Sequence, residues 1–96
     1  MSLLQKPMHP GEVLKVLYLD PLGMGAIEFA RRLGVPRTRI ERLVKGTTRM
    51  TPDTAMRLAR AFNTTPEYWM NMQTNFDMAL AAETVDVSNI EPLIAA

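Results

Sequence analysis

Arg37, Thr38, Arg39, Arg42, Lys45 and Arg49 place five basic side chains and one hydroxyl at spacings of one to four. On a helix pinned to a core by Ile40 and Leu43, most of these groups point outward. The chemistry they offer is recognition of a polyanion. A duplex major groove admits one α-helix, and the N-terminal residues of that helix reach the base edges. An arginine can donate to both acceptors of a guanine, and such a pair discriminates by about 1–3 kcal/mol. Arg37, Thr38 and Arg42 are therefore candidates for the groove-facing set. Arg39, Lys45 and Arg49 are candidates for phosphate contacts, which position a protein without reading sequence. A basic amphipathic helix can equally be a solvated face, so the surrounding elements must decide. Arg31 and Arg32 are open to solvation or to pairing with Glu28 one turn away.

Other chemistries have little support. His9 is the only histidine and there is no cysteine, which excludes disulfides and thiolate-bound metals. Its place before Pro10 suits a helix cap better than a general base. Tyr18, Tyr68 and the scattered carboxylates form no spaced pair, and no glycine-rich phosphate cradle or nucleophile elbow is present. The expectation is a protein that is not an enzyme, with no catalytic residue, cofactor or metal. No stretch approaches the roughly 20 apolar residues of a membrane span, and the N-terminus lacks a secretory pattern, so a cytoplasmic location is expected. Met1-Ser2-Leu3 is compatible with a vector-derived leader or with native sequence and is given no functional weight.

The elements that must carry the basic face are helices. Thr51-Pro52-Asp53 and Thr65-Pro66-Glu67 each supply a capping hydroxyl, a proline suited to the first helical position, and an acid matched to the helix dipole. His9-Pro10-Gly11-Glu12 and Val35-Pro36 repeat the pattern with weaker caps. Asp20-Pro21-Leu22-Gly23 is expected to close the first helix, because proline drives the residue before it out of the α region. Apolar residues recur with a 3.6 period. The stripes are Val13, Leu14, Leu17 and Tyr18; Ile27, Ala30 and Leu33; Ile40, Leu43 and Val44; Ala55, Leu58, Ala59 and Phe62; then Trp69, Met72, Phe76 and Leu80 on a long helix from about Pro66 to Ala82. Gly34 and Gly46 stand where the second and third helices should end. The result is an all-α, five-helix domain over residues 1–83 with a tail over 84–96. That tail, with Val85 and Val87 alternating before Pro92, is compatible with an extended segment, a short edge strand or a partner-binding segment.

Residues 25–46 then read as helix, tight turn at Leu33-Gly34-Val35, and helix, the helix-turn-helix pattern. Ala30 is small where the second helix crosses the first, Gly34 suits a positive φ, and Val35 plugs the angle. One reading helix offers few contacts, so a specific site calls for a homodimer on a palindromic operator with half-sites roughly 34 Å apart. Trp69, Met70, Met72, Phe76 and Met78 exceed a single core stripe and are the candidate dimer interface. Filling of an irregular core explains the same residues.

The net charge is only +1. It conceals a net of +5 over residues 24–49, where seven bases meet two acids, and −4 over residues 50–96, where two bases meet six acids. The basic block coincides with the helix-turn-helix. The acidic half is expected to face away from DNA.

Motifs in fixed order add a resemblance. They are His9-Pro10-Gly11-Glu12-Val13-Leu14, Pro21-Leu22-Gly23, Ala30-Arg31-Arg32-Leu33-Gly34-Val35-Pro36 with Arg39-Ile40, Thr51-Pro52-Asp53-Thr54-Ala55 with Arg57-Leu58-Ala59, and Pro66-Glu67-Tyr68-Trp69-Met70-Asn71-Met72-Gln73. Over about residues 7–80 the chain resembles the HigA-type antitoxins, bacterial proteins with a Cro/C1-repressor-like DNA-binding domain. The resemblance implies a five-helix fold, a homodimer, repression of the antitoxin's own operon, and neutralisation of a cognate RNA-cleaving ribonuclease toxin. Gly25 and Ala26 depart from the family's usual Ser-Gln at the start of the second helix, where the serine caps and the glutamine helps contact the DNA backbone. A stand-alone regulator without a toxin, and an interaction module with a vestigial helix-turn-helix, are the alternatives.

Overall fold

The computed structural model describes residues 6–95; Met1-Ser2-Leu3 lies outside them. Among the described residues there are five helices and no strand. The first, α1, runs continuously over residues 10–22 in three stretches: α-helical Pro10–Val13, π-helical Leu14–Leu19, and Asp20–Leu22. It is followed by α2 (Ala26–Leu33), α3 (Arg37–Val44), α4 (Pro52–Phe62) and α5 (Pro66–Thr84). Helix α2 packs on α3 and α4 on α5, while α1 lies against both α3 and α5, closing the bundle.

The π-helical stretch changes which residues of α1 face inward. Its wider turns, with i→i+5 bonding, put Leu14 and Leu19 on one buried face, and turn Leu17, predicted to be core, out to 58% exposure. Pro21 does not end the helix as predicted. Asp20 stays helical (φ −60°, ψ −47°) with its N–H bonded to the Lys15 carbonyl five residues back. The carbonyl that a proline ring would strike in an α-helix lies four residues upstream, at Leu17, inside the π stretch. Closure comes from Gly23, left-handed at φ 63°, followed by a bond from the Met24 N–H to the Leu19 carbonyl.

The caps read from the sequence are in place. Thr51 Oγ1 accepts from the Thr54 N–H, Thr65 Oγ1 from the Tyr68 N–H, and His9 Nδ1 from the Gly11 N–H at 2.9 Å. Pro36 instead precedes α3 as its capping residue, with extended backbone and no side-chain bond.

The core is built from Leu14, Leu19, Phe29, Ala30, Ile40, Leu43, Met50, Ala55, Leu58 and Trp69, all nearly or fully buried. Phe29, not Ile27, is the large apolar side chain that α2 turns inward; Ile27 stands 56% exposed. Phe29 stacks on Phe62 at 5.3 Å, and Tyr18 bridges Phe62 and Trp69 at 4.6 and 5.2 Å. Trp69 was a candidate for the dimer interface, but it has no exposed surface and its indole N–H donates to Thr64 Oγ1 at 2.9 Å. The reason is geometric: the first two turns of α5 lie across the end of α4, so their inward side belongs to the chain's own core. Beyond Thr84 the chain leaves the helix, and Val85, Val87, Ile90, Leu93 and Ile94 are all more than half exposed.

Candidate nucleic-acid interface

The turn between α2 and α3 fixes the angle at which α3 presents its outward face. Gly34 is left-handed at φ 72°; its N–H bonds the Arg31 carbonyl, and the Val35 N–H reaches back to Ala30 at 3.1 Å. This is the bonding that satisfies the last carbonyls of a helix. Val35 then packs on the core beside the buried Ala30, as the sequence predicts. From α4, Arg57 donates to the Leu33 carbonyl at 2.8 Å, adding a cation at the negative end of α2.

Helix α3 buries Ile40 and Leu43 and leaves Arg37, Thr38, Arg39, Arg42 and Lys45 exposed. Arg37 and Thr38 form its first turn. Among the described residues, Arg37, Arg42 and Lys45 have no carboxylate partner within ion-pair distance. Their charge is left to solvent or a ligand.

The other two predicted phosphate contacts are differently placed. Arg39 donates to Asp53 Oδ1 at 2.7 Å and Arg49 pairs with Asp77 Oδ2 at 2.6 Å. Arg57 first, and then Arg39, hold the Asp53 carboxyl below its ordinary range; Arg49 and Gln73 do the same for Asp77. Together Arg39, Arg42, Arg49, Thr38, Thr48 and Thr51 line a shallow cleft beside α3, at the capped start of α4. Two acids of the −4 half thus meet the basic block, contrary to the expectation that this half faces away. The bundle, in which α1 lies against both α3 and α5 while α4 packs on α5, brings opposite ends of the charge pattern together. Arg32 pairs with Glu28 at 3.1 Å, and Arg31 is exposed.

The loop after α3 is pinned from three sides. Gly46 is left-handed at φ 78°. His9 lies against Gly46 and packs edge-on to Phe76 at 5.0 Å, and burial pushes its imidazole below the ordinary 6.5. Gln73, which sequence reasoning overlooked, is buried on α5 and accepts the Met50 N–H at 2.6 Å. A polar residue in a stripe of methionines and aromatics was the available signal.

A helix-turn-helix family model matches residues 17–69 of this chain. Virulence-associated protein I of Dichelobacter nodosus is 40% identical over 83 residues, covering 86% of this chain and 77% of that protein. An addiction module antidote protein of a HigA family from Coxiella burnetii superposes with a TM-score of 0.86 at 34% identity, over 92% of this chain and 99% of that one. The chain belongs to the HigA antitoxin family of helix-turn-helix proteins. A third relative, the Pseudomonas aeruginosa antitoxin HigA, was solved with the higBA promoter; it matches with a TM-score of 0.82 at 30% identity, over 92% of this chain and 99% of that one.

The start of α2 carries Gly25 and Ala26 where the resemblance of this HigA-family chain implies Ser-Gln. Gly25 caps the helix with extended backbone and no side-chain bond, and a Cβ there would meet nothing within 4 Å. Room for a serine exists; the residue is simply absent.

Proposed function

We propose that this chain is a sequence-specific DNA-binding repressor that acts on a palindromic operator and serves as the antitoxin of a toxin–antitoxin pair, restraining an RNA-cleaving toxin. The observation that carries the DNA reading is the exposed face of α3 and its end, where among the described residues Arg37, Thr38, Arg42 and Lys45 have no acidic partner while the two neighbouring arginines do. The related Pseudomonas aeruginosa antitoxin HigA, solved with the higBA promoter, supports the DNA reading. Arg37, Thr38 and Arg42 read base edges; Arg39, Lys45 and Arg49 meet phosphates. The proposed setting is the cytoplasm, in keeping with a chain in which no described helix is long and apolar enough to cross a membrane.

The repressor works as a homodimer. With Trp69 in the core, the surface for a second copy lies farther along α5. There Met78 and Leu80 are exposed and run into the apolar tail, while Met70, Met72 and Phe76 are half-buried at its margin. Sedimentation at micromolar concentration should give the dimer mass, and a monomer there overturns this part of the reading. The DNA reading is tested with a duplex from upstream of the chain's own gene against a scrambled one, salt being varied. Operator binding weakens with salt yet stays well above the scrambled duplex. Co-purification of the product of the neighbouring gene, with loss of its ribonuclease activity on binding, tests the antitoxin role.

A further inference from the structure

Arg49 is held from a helix far away in sequence. Its guanidinium pairs with Asp77 on α5 at 2.6 Å. Asp77 Oδ1 accepts from Gln73 Nε2 at 3.0 Å, and Gln73 Oε1 accepts the backbone N–H of Met50 at 2.6 Å. Gln73 is 2% exposed and Met50 1%, so packing fixes this end of the chain of bonds. The loop that follows the reading helix is thereby tied to two positions one turn apart on α5, once through its backbone and once through the side chain of Arg49.

An acid next to a DNA-facing cation has two opposite consequences. It can mask the cation, or it can hold it ready. Three features favour holding. Asp77 is itself fixed by Gln73 and cannot swing aside without breaking that bond. Arg49 keeps 64% of its side chain exposed, and a guanidinium has five N–H donors, so one contact to a carboxylate leaves others for a phosphate. An arginine already ordered loses less rotamer freedom when it binds.

We infer that Gln73 and Asp77 are positioning residues for DNA binding, setting Arg49 where a backbone phosphate is met. This rests on the DNA reading of α3 given above. It makes the middle of α5 part of the DNA-binding apparatus, although no residue there needs to touch the duplex.

The test is a double-mutant cycle on the full-length chain, read by fluorescence anisotropy with two duplexes, one from upstream of its own gene and one scrambled. Asp77→Asn should weaken binding to both by about fivefold, the scale of one phosphate contact, and lower the salt slope by about 1, as Arg49→Gln does. In the Arg49→Gln background, Asp77→Asn should have no further effect. Asp77→Glu keeps the negative charge but displaces the anchor, and should also weaken binding; it serves as well if Asp77→Asn melts below the assay temperature. Unchanged or tighter binding by both Asp77 variants, or an equal loss with and without Arg49, overturns the inference alone. If the natural chain binds neither duplex, the DNA reading itself falls.

Discussion

Arg39 on the reading helix donates to the Asp53 carboxylate at the start of α4 at 2.7 Å. The same oxygen accepts from Arg57 at 2.8 Å, and Arg57 reaches on to the Leu33 carbonyl that ends α2. One acid therefore links α2, α3 and α4. Arg57 and Arg39 lower its pKa, so its contribution to stability is present above the ordinary carboxylate value of 3.8 and is lost as pH falls through the depressed one. Asp53→Asn should lower the melting temperature at about pH 7, and the difference should shrink toward about pH 2.5 as the carboxyl of the natural chain takes up its proton. Thermal melts of both chains at the two pH values check this, and high salt should narrow the neutral-pH gap.

Gly11 marks the closest approach of α1 to α3. A methyl group there would overlap the Leu43 carbonyl, a backbone atom that cannot move aside. Gly11→Ala should therefore destabilise by about 3 kcal/mol or more, the upper range of overpacking. Gly23→Ala meets no neighbour but carries left-handed backbone at φ +63°, and should cost about 1–2 kcal/mol. Urea titration of both variants, with the larger loss at Gly11, checks the ranking.

His9 ties α1 to the loop after α3 and to α5 while accepting the Gly11 N–H on Nδ1. Burial lowers its pKa below 6.5, so the unfolded chain takes up a proton first. Stability is complete above the unfolded value and declines as pH falls below 6.5. The melting temperature should drop between about pH 7.5 and pH 5, a window in which the lowered aspartates stay charged. In His9→Asn, which keeps a capping acceptor but does not titrate, that drop should be much smaller.

Trp69 is the only tryptophan, and its ring has no exposed surface. Its emission should be blue-shifted and poorly quenched by acrylamide, and it should stay so over a dilution series that separates dimers. Quenching that rises on dilution, before any unfolding, would return Trp69 to an interface.

Much of the architecture was legible because its signals are local. Thr51-Pro52-Asp53 and Thr65-Pro66-Glu67 start helices wherever they occur, and Gly34 is needed for the turn regardless of what packs around it. What escaped depends on the third dimension. The π-helical stretch of α1 exchanged Leu17 for Leu19, which no 3.6-residue period anticipates. Asp53 and Asp77 looked like part of an acidic half, and only packing shows that they hold Arg39 and Arg49. Trp69 looked like surplus on α5 because the depth of the cleft against α4 is not written in a helical period.

The central claim is that the outward face of α3 reads DNA, and Arg37 tests it best, being exposed in the first turn of that helix with no carboxylate partner among the described residues. The decisive measurement is a titration of Arg37→Glu with the duplex from upstream of the chain's own gene, alongside a thermal melt. The expected result is an unchanged melting temperature and an affinity at least about 100-fold weaker, the sum of a lost base contact and an added repulsion. Normal affinity in a folded Arg37→Glu chain would contradict it.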